Sequence, residues 1–344
     1  MLILGIETSC DETSVALVKD GKKILVNLIS TQVDLHRQFG GVVPEVASRA
    51  HLRVLAPLVK EALNRSEVGK ESVSAVAYTI GPGLIGSLLI GVSLAKALAY
   101  SWSVPAVGIN HLKGHLYGPI LDGAEYEFPL VGLIVSGGHT LLITARSWDE
   151  AEIVGGTRDD AAGEAFDKVA SLLGLGFPGG PAVDRAAVEG DPQRFSLPRG
   201  MLHSGDYDFS FSGVKTAVRY LVERLQAAGK DIPAADIAAG FQAAVVDVLI
   251  AKLSAVVAET SPRTIVIGGG VTRNRELRRR VLQEPAFGEA RVFIPSPDLC
   301  SDNAAMIAGL AARRIKRDLE RGGEIPSTLD ADADPHLPWT PGLL

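Results

Sequence analysis

One pattern occurs twice in this chain and limits the folds open to it. Residues 2–6 and 14–18 are apolar runs joined by the polar stretch Glu7-Thr8-Ser9-Cys10-Asp11-Glu12-Thr13, and a third run, 24–29, follows a turn at Gly21. From residue 130 the order returns: an apolar run to 135, the turn Ser136-Gly137-Gly138-His139-Thr140, and a second run, 141–145. Short apolar runs bounded by small polar clusters read as strands. Each copy is therefore a strand, a hydroxyl-rich turn and a strand, and such self-similarity marks a repeated architecture. At 344 residues the chain exceeds what one hydrophobic core usually serves, so two domains are expected.

The turns carry different chemistry. Gly137 and Gly138 let backbone amides approach an anion closely, although a simple hairpin fits the same residues. The first turn can offer amides to a phosphate or set two acids beside one; a plain hairpin would favour Asn-Gly or Asp-Gly, which are missing there. A third glycine-rich stretch, Gly268-Gly269-Gly270-Val271-Thr272-Arg273-Asn274, passes a buried-type strand, 264–267, into a helix, 275–282. That arrangement cradles nucleotides in many folds and is weak evidence alone.

The rest alternates between strand and helix signals. Helical spacing runs through 42–63 with Pro44 near its start; 75–80 is a strand, and Gly81-Pro82-Gly83 turns it into an apolar helix ending at Trp102. Strand 104–109 leads to His111. Asp160 is placed to cap a helix running to Leu173, with Asp167 on its more polar side and a Phe177-Pro178-Gly179-Gly180-Pro181 break after it. Helices 214–228 and 234–259, a strand at 292–294 and a last helix, 303–319, complete the order. The segment 323–344, rich in Pro and Asp, reads as a flexible tail.

Composition narrows the function classes. A formal charge of -6 argues against non-specific adhesion to nucleic acid, while the basic runs at Arg275, Arg278, Arg279 and Arg280 and at Arg313, Arg314, Lys316 and Arg317 offer a local surface for one. Two cysteines in the whole chain are too few for a disulfide framework, and no basic leader with a long apolar core opens it, so a reducing cytoplasm is expected. Ser87, Ser93, Lys96 and the glycines of the most apolar stretch suit a buried helix better than a membrane span.

His111 and His115 are one helical turn apart, so on a helix both imidazoles reach one ion. Asp302, far along the chain, is the candidate anionic ligand. Two nitrogens and a carboxylate with open positions suit Fe(II) or Zn(II). The alternative is two ordinary histidines and an aspartate that N-caps the helix beginning near Asn303. A zincin protease would place Glu directly after the first histidine, where this chain has Leu112.

Gly5-Ile6-Glu7-Thr8-Ser9-Cys10-Asp11-Glu12-Thr13-Ser14, the His111–His115 motif, residues 135–140, Phe166-Asp167-Lys168 with Pro178-Gly179-Gly180, and 268–274 with Asp302-Asn303-Ala304 occur in the order found in one family. The chain resembles the tRNA N6-adenosine threonylcarbamoyltransferases, once labelled O-sialoglycoprotein endopeptidases, over residues 1 to about 320. The resemblance implies an α/β fold of two ribonuclease-H-like domains, that of the actin-like ATPase, sugar kinase and Hsp70 superfamily, around a nucleotide cleft. Its domains would be 1–115 with 296–322, completed by the last helix, and 116–295 with a helical insertion. The repeat is what that duplication would leave in sequence.

The family transfers the threonylcarbamoyl group from threonylcarbamoyl-adenylate to N6 of adenosine 37 in tRNAs that read codons beginning with A, releasing AMP. By resemblance, His111, His115 and Asp302 hold one Fe(2+) per subunit, with Zn(2+) left open. Ser136, Gly137, Gly138, His139 and Thr140 contact phosphate and acyl groups, and Asp167, Gly180, Asp184 and Asn274 contact the adenylate. Asp11 or Glu12 is the candidate proton relay; turn capping and charge balance are the alternative roles. Expected partners are tRNA and, for a bacterial protein, a paralogous pseudo-enzyme of the TsaB kind and a small ATPase of the TsaE kind, with no membrane. A sugar kinase on the same fold would hold Mg²⁺ mainly through carboxylates and phosphates, which the paired histidines oppose. A non-catalytic scaffold relative would not need the histidines and Asp302.

Overall fold

The computed structural model describes residues 1–340 and Gly342, and the chain divides into two compact units. The first holds Met1–His36, Val42–Glu125 and the described residues from Pro295 onward; the second holds Arg37–Gly41 and Tyr126–Ile294. In chain order come β1 (Leu2–Glu7), β2 (Glu12–Lys19), β3 (Lys23–Thr31), α1 (Val33–Arg37), α2 (Pro44–Ser66), β4 (Ala75–Gly81), α3 (Ile85–Trp102), β5 (Ala106–Asn110) and α4 (His111–Leu121). The second unit contributes β6 (Leu130–Val135), β7 (Thr140–Ala145), β8 (Ala151–Gly156), α5 (Ala162–Leu172), α6 (Gly179–Ala186), α7 (Ser212–Ala227), α8 (Ala234–Thr260), β9 (Thr264–Gly268), α9 (Arg275–Gln283) and β10 (Arg291–Phe293). The chain then returns to the first unit with α10 (Pro297–Cys300) and α11 (Ala304–Glu320).

Each unit is built on a five-stranded mixed sheet, ordered β3-β2-β1-β4-β5 in the first and β10-β9-β6-β7-β8 in the second. In the first, β1, β2 and β3 pair antiparallel, Ile3 opposite Val18, and β4 and β5 add parallel to the other side of β1. In the second, β6, β7 and β8 pair antiparallel, Leu133 opposite Leu142, and β9 and β10 add parallel to β6. The two sheets share one topology, which is the duplication read from the sequence. Both central strands, β1 and β6, are buried along their whole length. Strands covered on both faces carry continuous apolar runs, as these do.

The first core gathers Leu4, Ile6, Leu17, Leu55 and Tyr78. The second is built on Leu133, Val135, Phe166, Phe209 and Phe241, with Phe166 and Phe241 edge to face at 5.1 Å. Each such buried phenylalanine contributes on the order of 2–3 kcal/mol. Helices α3 and α8 are long and apolar enough to cross a membrane; in α8, 67% of the most apolar window is buried.

Three features depart from the sequence reading. β8 carries two exposed residues and two glycines, so nothing local announces a strand; β7 supplies its pairing. α6 begins Gly-Gly-Pro, poor helix formers, but proline is tolerated in a first turn, and the Gly179 amide is satisfied by Asp167 Oδ1 at 2.7 Å. The composition of 323–344 predicts a flexible tail, yet Thr328 is bonded to Tyr78, Ala106 and Gly108, and the Asp334 amide donates to Ile80 O. Backbone and small-hydroxyl contacts of this kind leave no hydrophobic signature. The part of that expectation falling on Pro341, Leu343 and Leu344 lies outside the described residues.

Candidate metal centre and substrate-binding residues

α4 starts at His111 because Asn110 caps it, its side chain accepting from the amides of Leu112 and Lys113. The helix presents His111 Nε2 and His115 Nε2 to one oxygen, Asp302 Oδ1, at 3.5 and 3.2 Å. The three ligand atoms lie within 4.8 Å of one another. Both imidazoles are buried, with ring centroids 4.7 Å apart. Asp302 does not cap α11. That role falls to Asn303, whose side chain accepts from the Met306 amide.

Asp302 reaches the histidines because α11 docks hard against the first sheet. The Ala304 amide donates to Ser14 Oγ at 2.9 Å, and a Cβ on Gly5 would lie 2.3 Å from Ala304 O. Only glycine at that point of β1 lets the helix N-terminus sit where it does.

Glu7, at the end of β1, fixes the tautomer of the first histidine. Its fully buried carboxylate accepts from the Ser9 amide at 2.5 Å and the Thr79 hydroxyl at 2.5 Å, and lies 3.0 Å from His111 Nδ1. A proton held on Nδ1 by a carboxylate leaves the Nε2 lone pair for a metal, the usual outer-shell arrangement of a histidine ligand. Without a metal, burial pulls the His111 pKa down, but the Asp302 and Glu7 carboxylates outweigh it and raise it to about 9. Burial opposes ionisation of Glu7, and His111 overrides it, holding the carboxyl below its ordinary range. Among the described residues, neither ring nitrogen of buried His115 makes a well-aligned hydrogen bond, Nε2 having only its 3.2 Å approach to Asp302 Oδ1. An unpaired buried acceptor is costly, and a cation among these three side chains removes that cost. The donor set fits Fe(II) or Zn(II).

Asp11 ends the loop that leads from β1 into β2, Glu12 opens β2, and both are half-buried. Burial first, then the Asp11 and Asp302 carboxylates, push the Glu12 carboxyl well above the usual range. His51 on α2 holds this loop: its Nε2 donates to Cys10 O at 2.9 Å, which makes Nδ1 the acceptor for the Thr13 hydroxyl at 2.7 Å. Neither Glu7 nor His51 was singled out from the sequence. An acid closing an all-apolar strand was the available signal for Glu7; for His51 there was none.

In the second unit the turn 136–140 folds on itself, the Ser136 amide donating to His139 O and the His139 amide to Ser136 Oγ. Gly137 and Gly138 are exposed, with open space beside each. Thr140 Oγ1 accepts from the Ala162 amide at 2.9 Å, so Thr140 serves the first turn of α5. The expected cap, Asp160, instead binds Lys168 and Lys215. Asp167 lies on α5 against the start of α6, where Gly180 has open space beside it. Asp184 on α6 takes the Arg275 amide and Nε at 3.2 and 2.7 Å. Asn274 caps α9 through Leu277 N and donates to Gln242 Oε1. Asp167 thus meets the start of α6, where Gly180 lies, and Asp184 meets the start of α9, which Asn274 caps; Asp167, Asp184 and Asn274 all have internal partners.

The basic runs are largely tied down within their own units. Arg278 bonds Thr272 O, Arg279 pairs with Glu276, Arg280 with Asp247, Arg317 with Asp318, and Arg314 donates to Gly108 O.

A family model described as tRNA N6-adenosine threonylcarbamoyltransferase matches residues 23–309. Proteins of that name from Bordetella petrii and Thermomicrobium roseum are 50% and 47% identical to the chain, over 93% and 98% of it and 92% and 97% of their own lengths. Among solved structures, component A of the Acidaminococcus fermentans (R)-2-hydroxyglutaryl-CoA dehydratase is 16% identical with a TM-score of 0.53, over 91% of this chain and 98% of its own. HypF of T. kodakarensis is 13% identical with a TM-score of 0.59, over 92% of this chain and 48% of its own. Both have the actin-like ATPase fold, and at these identities the likeness concerns the fold alone.

Proposed function

The chain belongs to the tRNA N6-adenosine threonylcarbamoyltransferase family, and on that premise we propose that it moves the threonylcarbamoyl group of threonylcarbamoyl-adenylate to N6 of adenosine 37 in tRNAs that read codons beginning with A, releasing AMP. The observation that carries the metal-dependent form of this reading is the convergence of His111, His115 and Asp302 on a point where buried His115 lacks any other partner. A bound Fe(II), or Zn(II) on the same donors, would supply Lewis acidity for charge growing on the carbamoyl oxygen or the departing phosphate.

The chain's own residues do the rest. Glu7 keeps the His111 proton on Nδ1. Gly137 and Gly138 are exposed with open space beside them, so a phosphate or an oxyanion could approach their backbone. Asp167 and the open edge of α6 at Gly180 would hold the nucleoside, with Asp184 and Asn274 contributing if they exchange their present partners for it. The adenine amine is a weak nucleophile, so its proton must leave as the new bond forms. Glu12 or Asp11 would accept it in the carboxylate form, Glu12 being made the stronger base by its burial and by the neighbouring Asp11 and Asp302 carboxylates. The relatives named above are bacterial, which supports a paralogous pseudo-enzyme and a small ATPase as helpers.

The test measures AMP released from threonylcarbamoyl-adenylate with and without tRNA, in the parent and in Asp302→Asn. Release that depends on tRNA, and falls at least about 100-fold together with metal content in the variant, is expected. Release indifferent to tRNA, or a variant that keeps full rate without metal, refutes the reading.

A further inference from the structure

The segment after α11 is bonded in succession to β4 and β5, to α3, to the end of β4 and the turn after it, and to α4, the helix that carries His111 and His115. Thr328 Oγ1 accepts from the Gly108 amide at 2.8 Å and bonds the Tyr78 hydroxyl, tying it to the middle of β4 and β5. Lys96 on α3 donates to Ala331 O at 2.5 Å. The Asp334 amide donates to Ile80 O at 2.9 Å, and Pro335 O accepts from Gly83 at 3.2 Å. Last, Lys113 Nζ donates to Thr340 O and Gly342 O at 2.7 and 2.8 Å and lies 5.2 Å from the centre of the Trp339 ring.

These contacts are built in. A Cβ on Gly81 would lie 1.9 Å from Asp334 O, so β4 ends in the one residue that admits the segment. Lys113 is buried, and it stands in the first turn of α4, where the helix dipole disfavours a cation. A buried ammonium requires partners, and the two carbonyls and the ring supply them. Lys113 follows His111 by two residues and precedes His115 by two, which puts it on the far side of the helix from the ligand pair.

We propose that this C-terminal strap sets the metal centre's geometry, with Lys113 as its positioning residue. The strap grips α4 from behind while the front of the helix presents its two imidazoles. Its bond to Gly83 holds the same turn whose next amide, that of Leu84, donates to Ser9 O at 2.7 Å. Ser9 in turn supports Glu7 and lies 3.2 Å from His111 Nδ1 through its hydroxyl. Helix and outer shell are thereby fixed by one segment of chain. The inference rests on the metal reading above.

The test is a Co²⁺ titration of the full chain followed by visible absorption, run on the parent, Lys113→Met, Lys113→Arg, Trp339→Leu and Gly81→Ala, with the melting temperature of each metal-free protein measured alongside. Lys113→Met, Trp339→Leu and Gly81→Ala are expected to bind Co²⁺ roughly tenfold more weakly, the lower end of what outer-shell changes cost. Lys113→Arg, which keeps a charged donor, is expected to recover most of the loss. Wild-type affinity in the folded variants, with only the melting temperature lowered, overturns the proposal. Should Lys113→Met not fold, Trp339→Leu and Gly81→Ala decide the question. No Co²⁺ uptake by the parent chain overturns the metal reading itself and this inference with it.

Discussion

Glu7→Gln changes one atom and should weaken the metal site through the tautomer of His111. The carboxylate now faces three donors: the Ser9 amide at Oε1, and the Thr79 hydroxyl and His111 Nδ1 at Oε2. Glutamine offers one acceptor and one donor. The Ser9 amide belongs to the backbone and cannot turn away, so the amide oxygen must face it and the NH₂ must face Thr79 and His111. Thr79 adapts by rotating its hydroxyl. His111 can adapt only by accepting at Nδ1, which moves its proton to Nε2, the atom that should bind the metal. Because all polar groups still find partners, the folded state should lose less than about 1 kcal/mol. Metal affinity should fall about 10- to 100-fold, or about 1.4–2.8 kcal/mol. Chelator-buffered Zn²⁺ titration at about pH 9.5 is the assay, since above the His111 pKa of about 9 proton competition no longer masks the effect. Nitrogen-15 shifts of the metal-free variant report which ring nitrogen holds the proton. Parent-like affinity, or a proton still on Nδ1, refutes the argument.

Gly5→Val places carbon 2.3 Å from Ala304 O or closer, and should cost about 1–3 kcal/mol while displacing Asp302; a lower denaturation midpoint together with reduced metal content checks it. Thr140→Val removes the acceptor for the Ala162 amide and should destabilise the chain by about 1 kcal/mol, read by urea unfolding, with parent-like unfolding counting against the capping role. Burial holds the His51 pKa below its ordinary 6.5, so His51 stays neutral in the folded state. Its contribution is complete above that value and is lost as pH falls through the lower folded one. Unfolding free energies between pH 8 and pH 5 should therefore decline less steeply in His51→Gln than in the parent, and equal slopes would exclude His51 as the cause.

What could be read ahead of the structure followed from how far each interaction reaches along the chain. The central strands announce themselves because burial on both faces demands an unbroken apolar run, and the repeated turn shows because each copy is contiguous. The pairing of His111 with His115 is a consequence of helical spacing. Asp302 was the hard member. Its approach depends on Gly5, a residue 297 positions away, and a glycine inside a strand looks the same whether it admits a helix or merely weakens the sheet. Asn303 and Asp302 are equally good caps on paper, and only the docking of the Ala304 amide on Ser14 decides which one turns inward. Glu7 was legible as an oddity, an acid at the end of a buried strand, but not as a partner for His111, since nothing local joins them. The strap was invisible for the opposite reason: its bonds are made mostly by backbone carbonyls and amides, which every residue has, so composition rich in Pro and Asp looked like absence of structure. Local periodicity thus recovers ligands that share an element, while ligands brought together by close approach leave only glycines as their trace. The places to look for the remaining determinants of this metal centre are therefore the glycines that another backbone would strike, Gly5 and Gly81 first among them.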